Sequence, residues 1–162
     1  MRTAFLLISL ISILLLASCG QETASEWEEL DLLPYSLSIR VKAPDSVDIR
    51  TNDLSGITRD VNLRNMEEGY YVQVFGSLAT TSDIAQLKAE QLELVRNNPY
   101  FQRIVEEGSA GFIFESKIDT SINYGFRYVH FKGDREFIFQ NGIGQFFDLP
   151  AIEAMYEAVQ QE

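Results

Sequence analysis

The chain is 162 residues long, with 46% hydrophobic and 12% aromatic residues and a formal net charge of −11. That is the size of one domain, apolar enough to build a core and too hydrophobic for wholesale disorder. A single cysteine excludes an internal disulfide and a Cys-based zinc site, and a single histidine excludes a His-rich metal centre. The acidic surplus excludes nucleic acid as a partner, because phosphate backbones would be repelled. No metal and no cofactor are expected.

Chain order begins with an address. Arg2 supplies the one early positive charge, and Ala4 to Ala17 is an apolar run broken only by Ser9 and Ser12. As a helix at about 1.5 Å per residue this run spans roughly 21 Å, short of the ~30 Å hydrocarbon core. A charged start, a short apolar stretch and small residues after it read as an export signal rather than a permanent span.

Leu16-Ala17-Ser18-Cys19 resembles the lipobox of bacterial lipoproteins. The resemblance implies diacylglycerol on the Cys19 sulfur and cleavage between Ser18 and Cys19, with acylation of the new amino terminus. It accounts for the position of the only cysteine, since a thiolate is a strong nucleophile and small neighbours admit a membrane-embedded protease. Two or three chains on one residue hold far better than the marginal binding of a single myristoyl group. The membrane partner is therefore reached through acyl chains on Cys19. Gly20 in the next position, rather than aspartate, favours the outer membrane by the same resemblance. The organisation predicted is a signal peptide over 1–18, a lipidated cysteine and acidic tether over 19–33, and one domain over 34–162. Within the tether, Trp27 with Leu30 three residues on suggests a short helix packed onto the domain; the alternative is a tryptophan that docks a partner.

From Pro34 the period becomes two. Leu37, Ile39 and Val41 alternate with polar residues, as do Val47 to Arg50 and, less clearly, Val61 to Arg64. Tyr70 to Phe75 is β-branched and aromatic between Gly69 and Gly76. A helix follows, capped by Thr81 or Ser82, with Asp83 complementing its dipole and Ile84, Leu87, Leu94 and Val95 as its apolar stripe; Asn97-Asn98-Pro99 ends it. Strands are expected over Phe101–Glu106, Phe112–Ile118, Ile122–Lys132 and Glu136–Gln140. Gly133-Asp134 fits a two-residue type II′ hairpin. Asp148 caps a closing helix with Pro150 in its first turn and Leu149, Ile152, Met155, Tyr156 and Val159 as its apolar face.

Strands, a helix, more strands and a closing helix predict an α+β domain with an antiparallel sheet of about six to eight strands flanked by helices. The element order resembles the PsbP-like superfamily, which includes an extrinsic photosystem II subunit and DcrB-type bacterial lipoproteins. It implies a curved antiparallel sheet sandwiched by helices.

No catalytic constellation emerges. His130 lies mid-strand with Tyr124, Phe126 and Tyr128 on one face, and a lone imidazole is not a motif. The Glu67-Glu68, Glu106-Glu107 and Asp134/Glu136 pairs are close neighbours near turns, not carboxylates facing across a cleft. Asn52-Asp53-Leu54-Ser55-Gly56 lacks the closing acidic ligand of a calcium loop and reads as a turn. Asn141-Gly142-Ile143-Gly144 lacks the lysine of a phosphate loop and reads as a bend. Most aromatics are assigned to the core. A ligand or partner surface, if one exists, is placed at Tyr124, Tyr128 and His130, with Trp27 as a docking residue. The expectation is a lipid-anchored envelope lipoprotein that binds a protein partner without catalysis. The alternative is a pocket protein for a small envelope ligand, with a closed apolar cavity between sheet and closing helix as its mark.

Overall fold

The computed structural model describes residues 26–161 apart from 55. The proposed signal peptide, Ser18 and Cys19 lie outside the described residues. The elements run β1 (Glu28–Asp31), a 3-10 turn (Leu33–Tyr35), β2 (Arg40–Ala43), β3 (Asp48–Leu54), β4 (Thr58–Asn65), β5 (Tyr70–Leu78), α1 (Ile84–Arg96), β6 (Phe101–Glu107), β7 (Gly111–Ile118), β8 (Ser121–Lys132), β9 (Arg135–Asn141) and α2 (Leu149–Ala158). Strands β3 to β9 form one seven-stranded sheet in the order β3-β4-β5-β9-β8-β7-β6, antiparallel at every pair. Two meanders, β3-β4-β5 and β6 to β9, thus meet at β5 and β9, and α1 carries the chain from the middle of the sheet to its far edge. The α+β class with an antiparallel sheet and two helices holds.

Alternation decides which way each side chain points. Val61, Leu63, Val72, Val74, Phe137, Phe139, Phe126, Tyr128 and Ile113 share one face, and all are buried. Over them lie α2, through Ile152, Met155, Tyr156 and Val159, and the β1–β2 hairpin, through Leu32, Leu37, Ile39 and Val41. Asp148 is the N-cap of α2, its carboxylate accepting from Ala151 N at 3.0 Å. The hairpin approaches so closely at Gly76 that a Cβ there would sit 2.6 Å from Leu37 Cδ2. Gly133 alone of its two-residue turn has φ > 0, at 68°, as a β8–β9 hairpin with Lys132 opposite Arg135 requires.

The other face of β8 carries Val129, and that of β7 carries Phe112; both are buried beneath α1, which packs on β8. The cap of α1 is Asp83 itself, accepting from Ala85 N and Gln86 N, in place of Thr81 or Ser82. Leu94 is also displaced from its expected role. The inward face runs through Ile84, Leu87 and Val95, so Val95 fills the last turn and Leu94 is 65% exposed.

The largest correction concerns the tether. Residues 28–31 are a strand, not a helix, and pair with β2 in register from Glu28↔Ala43 to Asp31↔Arg40. Leu32 is fully buried and Trp27 nearly so, which moves the start of the domain from 34 to about Trp27. A β-strand buries alternate residues, and Leu30 and Leu32 follow that period.

The molecule has two ends. Trp27, the β4–β5 turn, the β7–β8 turn and the β9–α2 loop lie at the entry end, where the described chain begins. The β3–β4 and β8–β9 turns and the C-terminus of α2 lie at the opposite end. Among the described residues no helix is long and apolar enough to cross a membrane.

Candidate binding surface

Tyr124, Phe126, Tyr128 and His130 do share a face, and it is the inner one. The Tyr128 ring packs against Phe139 at 5.6 Å and Tyr156 at 6.2 Å, and its hydroxyl accepts from Gln161 N at 3.1 Å. Tyr124 is half-buried against the core, its backbone N–H donating to Phe147 O at 3.1 Å. His130 is half-buried with its ring 6.3 Å from Phe137. Burial, helped by the charge of Lys132, holds its imidazole below the ordinary histidine range. Trp27 lies edge-on to Tyr70 at 5.0 Å, at the entry end of the molecule, whereas His130 lies toward the other. The Tyr70 hydroxyl is buried, donates to Lys42 O at 3.1 Å, and is pushed far up by desolvation. Two of these positions, Tyr128 and Trp27, are therefore core residues, and the four do not converge on one surface.

The outward face holds what alternation alone could not reveal. Register aligns Arg50, Asn62, Gln73, Gln140 and Arg127 as one row across β3, β4, β5, β9 and β8. Beside the row Asp60 is only 6% exposed. Its carboxylate accepts from Asn62 Nδ2 at 2.9 Å, Gln73 Nε2 at 3.1 Å and Asn52 Nδ2 at 3.3 Å. The chain of bonds continues outward: Gln140 Nε2 donates to Gln73 Oε1 at 2.9 Å, and the Tyr71 hydroxyl donates to Asn62 Oδ1 at 3.2 Å. The Arg64 guanidinium stands 5.5 Å over the Tyr71 ring.

No ion pair among the described residues reaches Asp60. Its charge is held by amide donors alone, an arrangement that costs desolvation unless every lone pair is used. Arg127, on the α1 side of the row, has its guanidinium 5.9 Å over the Phe114 ring and donates to Phe126 O at 3.0 Å. Burial lowers it to about 10. The row passes from this covered end to the exposed Arg50 at the sheet edge. Chemically it is a fixed array of amides around one buried carboxylate that has no ion-pair partner among the described residues.

The remaining candidates resolve into ordinary structure. Glu107 is bound by Lys88 Nζ at 2.9 Å, and that hydrogen bond and charge lower its carboxyl. Glu136 accepts from Ser77 Oγ, Thr80 N and Thr80 Oγ1. The Asn52–Gly56 segment spans the end of β3 and the β3–β4 turn, where Gly56 N donates to Asp53 Oδ1 at 2.8 Å. An open groove of about 690 Å³ runs between the β1–β2 hairpin and the end of α2, lined by charges of both signs, with Arg40 and Glu29 paired at 2.8 Å. Among the described residues no three His, Cys, Asp or Glu side chains converge as metal ligands. No family model matches the chain, and no curated protein does.

Proposed function

We propose that this chain is a lipid-anchored lipoprotein of the bacterial cell envelope, at the outer membrane, whose domain is a non-catalytic module binding an envelope protein. The anchor reading rests on Leu16-Ala17-Ser18-Cys19 and the short apolar leader. The PsbP-like reading is supported by the antiparallel sheet with α1 on one face and α2 on the other. The binding reading is carried by one observation: the inner face is filled, while the outer face presents the Asp60 amide row over β4, β5 and β9, beside α1, which covers β8 on that same face. Tyr70, Phe126, Phe137, Phe139, Ile152 and Met155 occupy the space in which an apolar ligand would have to sit, all below 2% exposure. That favours a partner on the outside over a small ligand within.

The test is a photo-crosslinker at Asn62 in intact cells, with a second at Glu153 on the exposed side of α2. A discrete protein adduct from 62 and not from 153, lost on Asp60→Lys, is the expected result. A hydrolase activity of the purified protein that disappears on His130→Ala would overturn the non-catalytic reading. The anchor is tested separately by Cys19→Ala, which should abolish partition into the detergent phase.

A further inference from the structure

We propose that the entry end of the domain rests on the bilayer itself, with the β9–α2 loop and the start of β8 in the lipid headgroup region; this rests on the lipid-anchor reading. Three large apolar side chains project there, Ile143 at 78%, Phe146 at 59% and Ile122 at 54% exposure. They belong to one small region. Phe147, next to Phe146, donates its N–H to Asn123 Oδ1 at 2.8 Å and accepts from Tyr124 N at 3.1 Å, which seats the loop along the residues that follow Ile122. Tyr100, whose carbonyl accepts from Lys117 N at 2.8 Å, and Met66 in the β4–β5 turn extend the same end to either side.

The occupant follows from where the chain enters. Trp27 is fixed against Tyr70 at 5.0 Å, and Tyr70 opens β5 at this end. From Cys19 to Glu26 the chain has seven residues to cover, and at ~3.5 Å each they reach no more than about 25 Å. Acyl chains on Cys19 therefore hold this end within that distance of the headgroups, while the opposite end stands a nine-residue strand further along the sheet, roughly 30 Å. Exposed apolar side chains at that depth exchange water for the acyl boundary, as in interfacial anchors. The surrounding carboxylates, Asp119 and Asp148 among them, suit a zwitterionic rather than an anionic surface. The opposite end also carries exposed apolar side chains, Leu33, Leu54, Ile57 and Leu78, and these face away from the anchor.

With its end on the bilayer the sheet stands upright, and the Asp60 row faces sideways toward a neighbouring protein.

The experiment uses the mature lipidated protein in phosphatidylcholine vesicles, with Ile143→Cys or Ile57→Cys carrying a polarity-sensitive fluorophore. Cys19 is the only native cysteine, and its sulfur is taken by lipid, so each label is unique. Both sites are exposed, and neither replacement disturbs the core. The probe at 143 is expected to emit to the blue and to be quenched by nitroxide-headgroup lipid, while the probe at 57 keeps its aqueous emission; added phosphatidylglycerol should weaken the signal at 143. Flotation with the vesicles but aqueous emission at both sites overturns the inference, as does equal quenching at both. Protection of 143 from a soluble quencher without lipid quenching assigns the patch to a second copy or another protein and also overturns it. A protein that does not float, with an unmodified Cys19 by mass, removes the anchor and this surface together.

Discussion

The two faces of the large sheet are built on opposite principles from the same strands. On the inner face, Val61, Leu63, Val72, Val74, Phe137 and Phe139 are buried under α2 and the β1–β2 hairpin. On the outer face, alternate residues of the same β4, β5 and β9 strands are Asp60, Asn62, Gln73 and Gln140, bonded to one another. Apolar packing is non-directional and tolerates relaxation, whereas a polar array works only when each donor meets an acceptor. The inner face therefore carries stability, and the outer face carries a defined chemical pattern. A polar row in the centre of a sheet adds less to stability than an apolar one would.

The sharpest way to break this contrast is Phe137→Ala. The side chain is fully buried between sheet neighbours, and its loss should cost about 3–5 kcal/mol in denaturant unfolding. Leu32→Ala comes next. If the residues after Trp27 were only a tether it would be neutral; as a fully buried hairpin residue it should cost about 2–5 kcal/mol. Asp60→Ala strands the Asn52, Asn62 and Gln73 donors and should cost about 1–3 kcal/mol, while also erasing the crosslink from 62.

A smaller effect concerns pH. Folding lowers the His130 pKa below its ordinary 6.5, so the unfolded chain binds the proton more readily. This residue's contribution to stability is full above about 6.5. It declines as pH falls through that value and levels off below the folded pKa. His130→Phe should remove that component from the stability profile between pH 7 and 5, measured as a difference from the native chain. Smallest of all, Arg40→Ala should shift stability by less than about 1 kcal/mol, because its pairs with Glu29 and Asp31 are exposed.

Legibility in the sequence followed the range of the interaction that decides each feature. The Gly133-Asp134 hairpin, the Asp148 cap and the inward face of α2 are local: a turn φ, a side chain three residues from its N–H, a period of 3.6. Each stands where the sequence placed it. The cap of α1 lies one or two positions past Thr81 and Ser82, because several polar residues precede the helix, and Leu94 joins the expected stripe only because it neighbours Val95, which alone fills the last inward position. Trp27 packs onto the domain as expected, but the helix expected around it is a strand for a different reason. Four residues of strand are too few to show a period, and β1 exists because β2 pairs with it.

The chain's own order of residues was thus enough to settle the α+β class, the Asp148 cap of α2 and the apolar alternation, all consequences of contacts a few residues apart. Only the tertiary structure decided which of the two alternating faces is sealed, that the tether folds back as a strand, and that Asn62, Gln73, Gln140 and Arg127 stand side by side. Those facts depend on strand order and register across a sheet whose neighbours β5 and β9 pair residues 57 to 69 positions apart in the chain, the Gln73–Gln140 bond among them at 67. No periodicity within one strand carries the register of its partner.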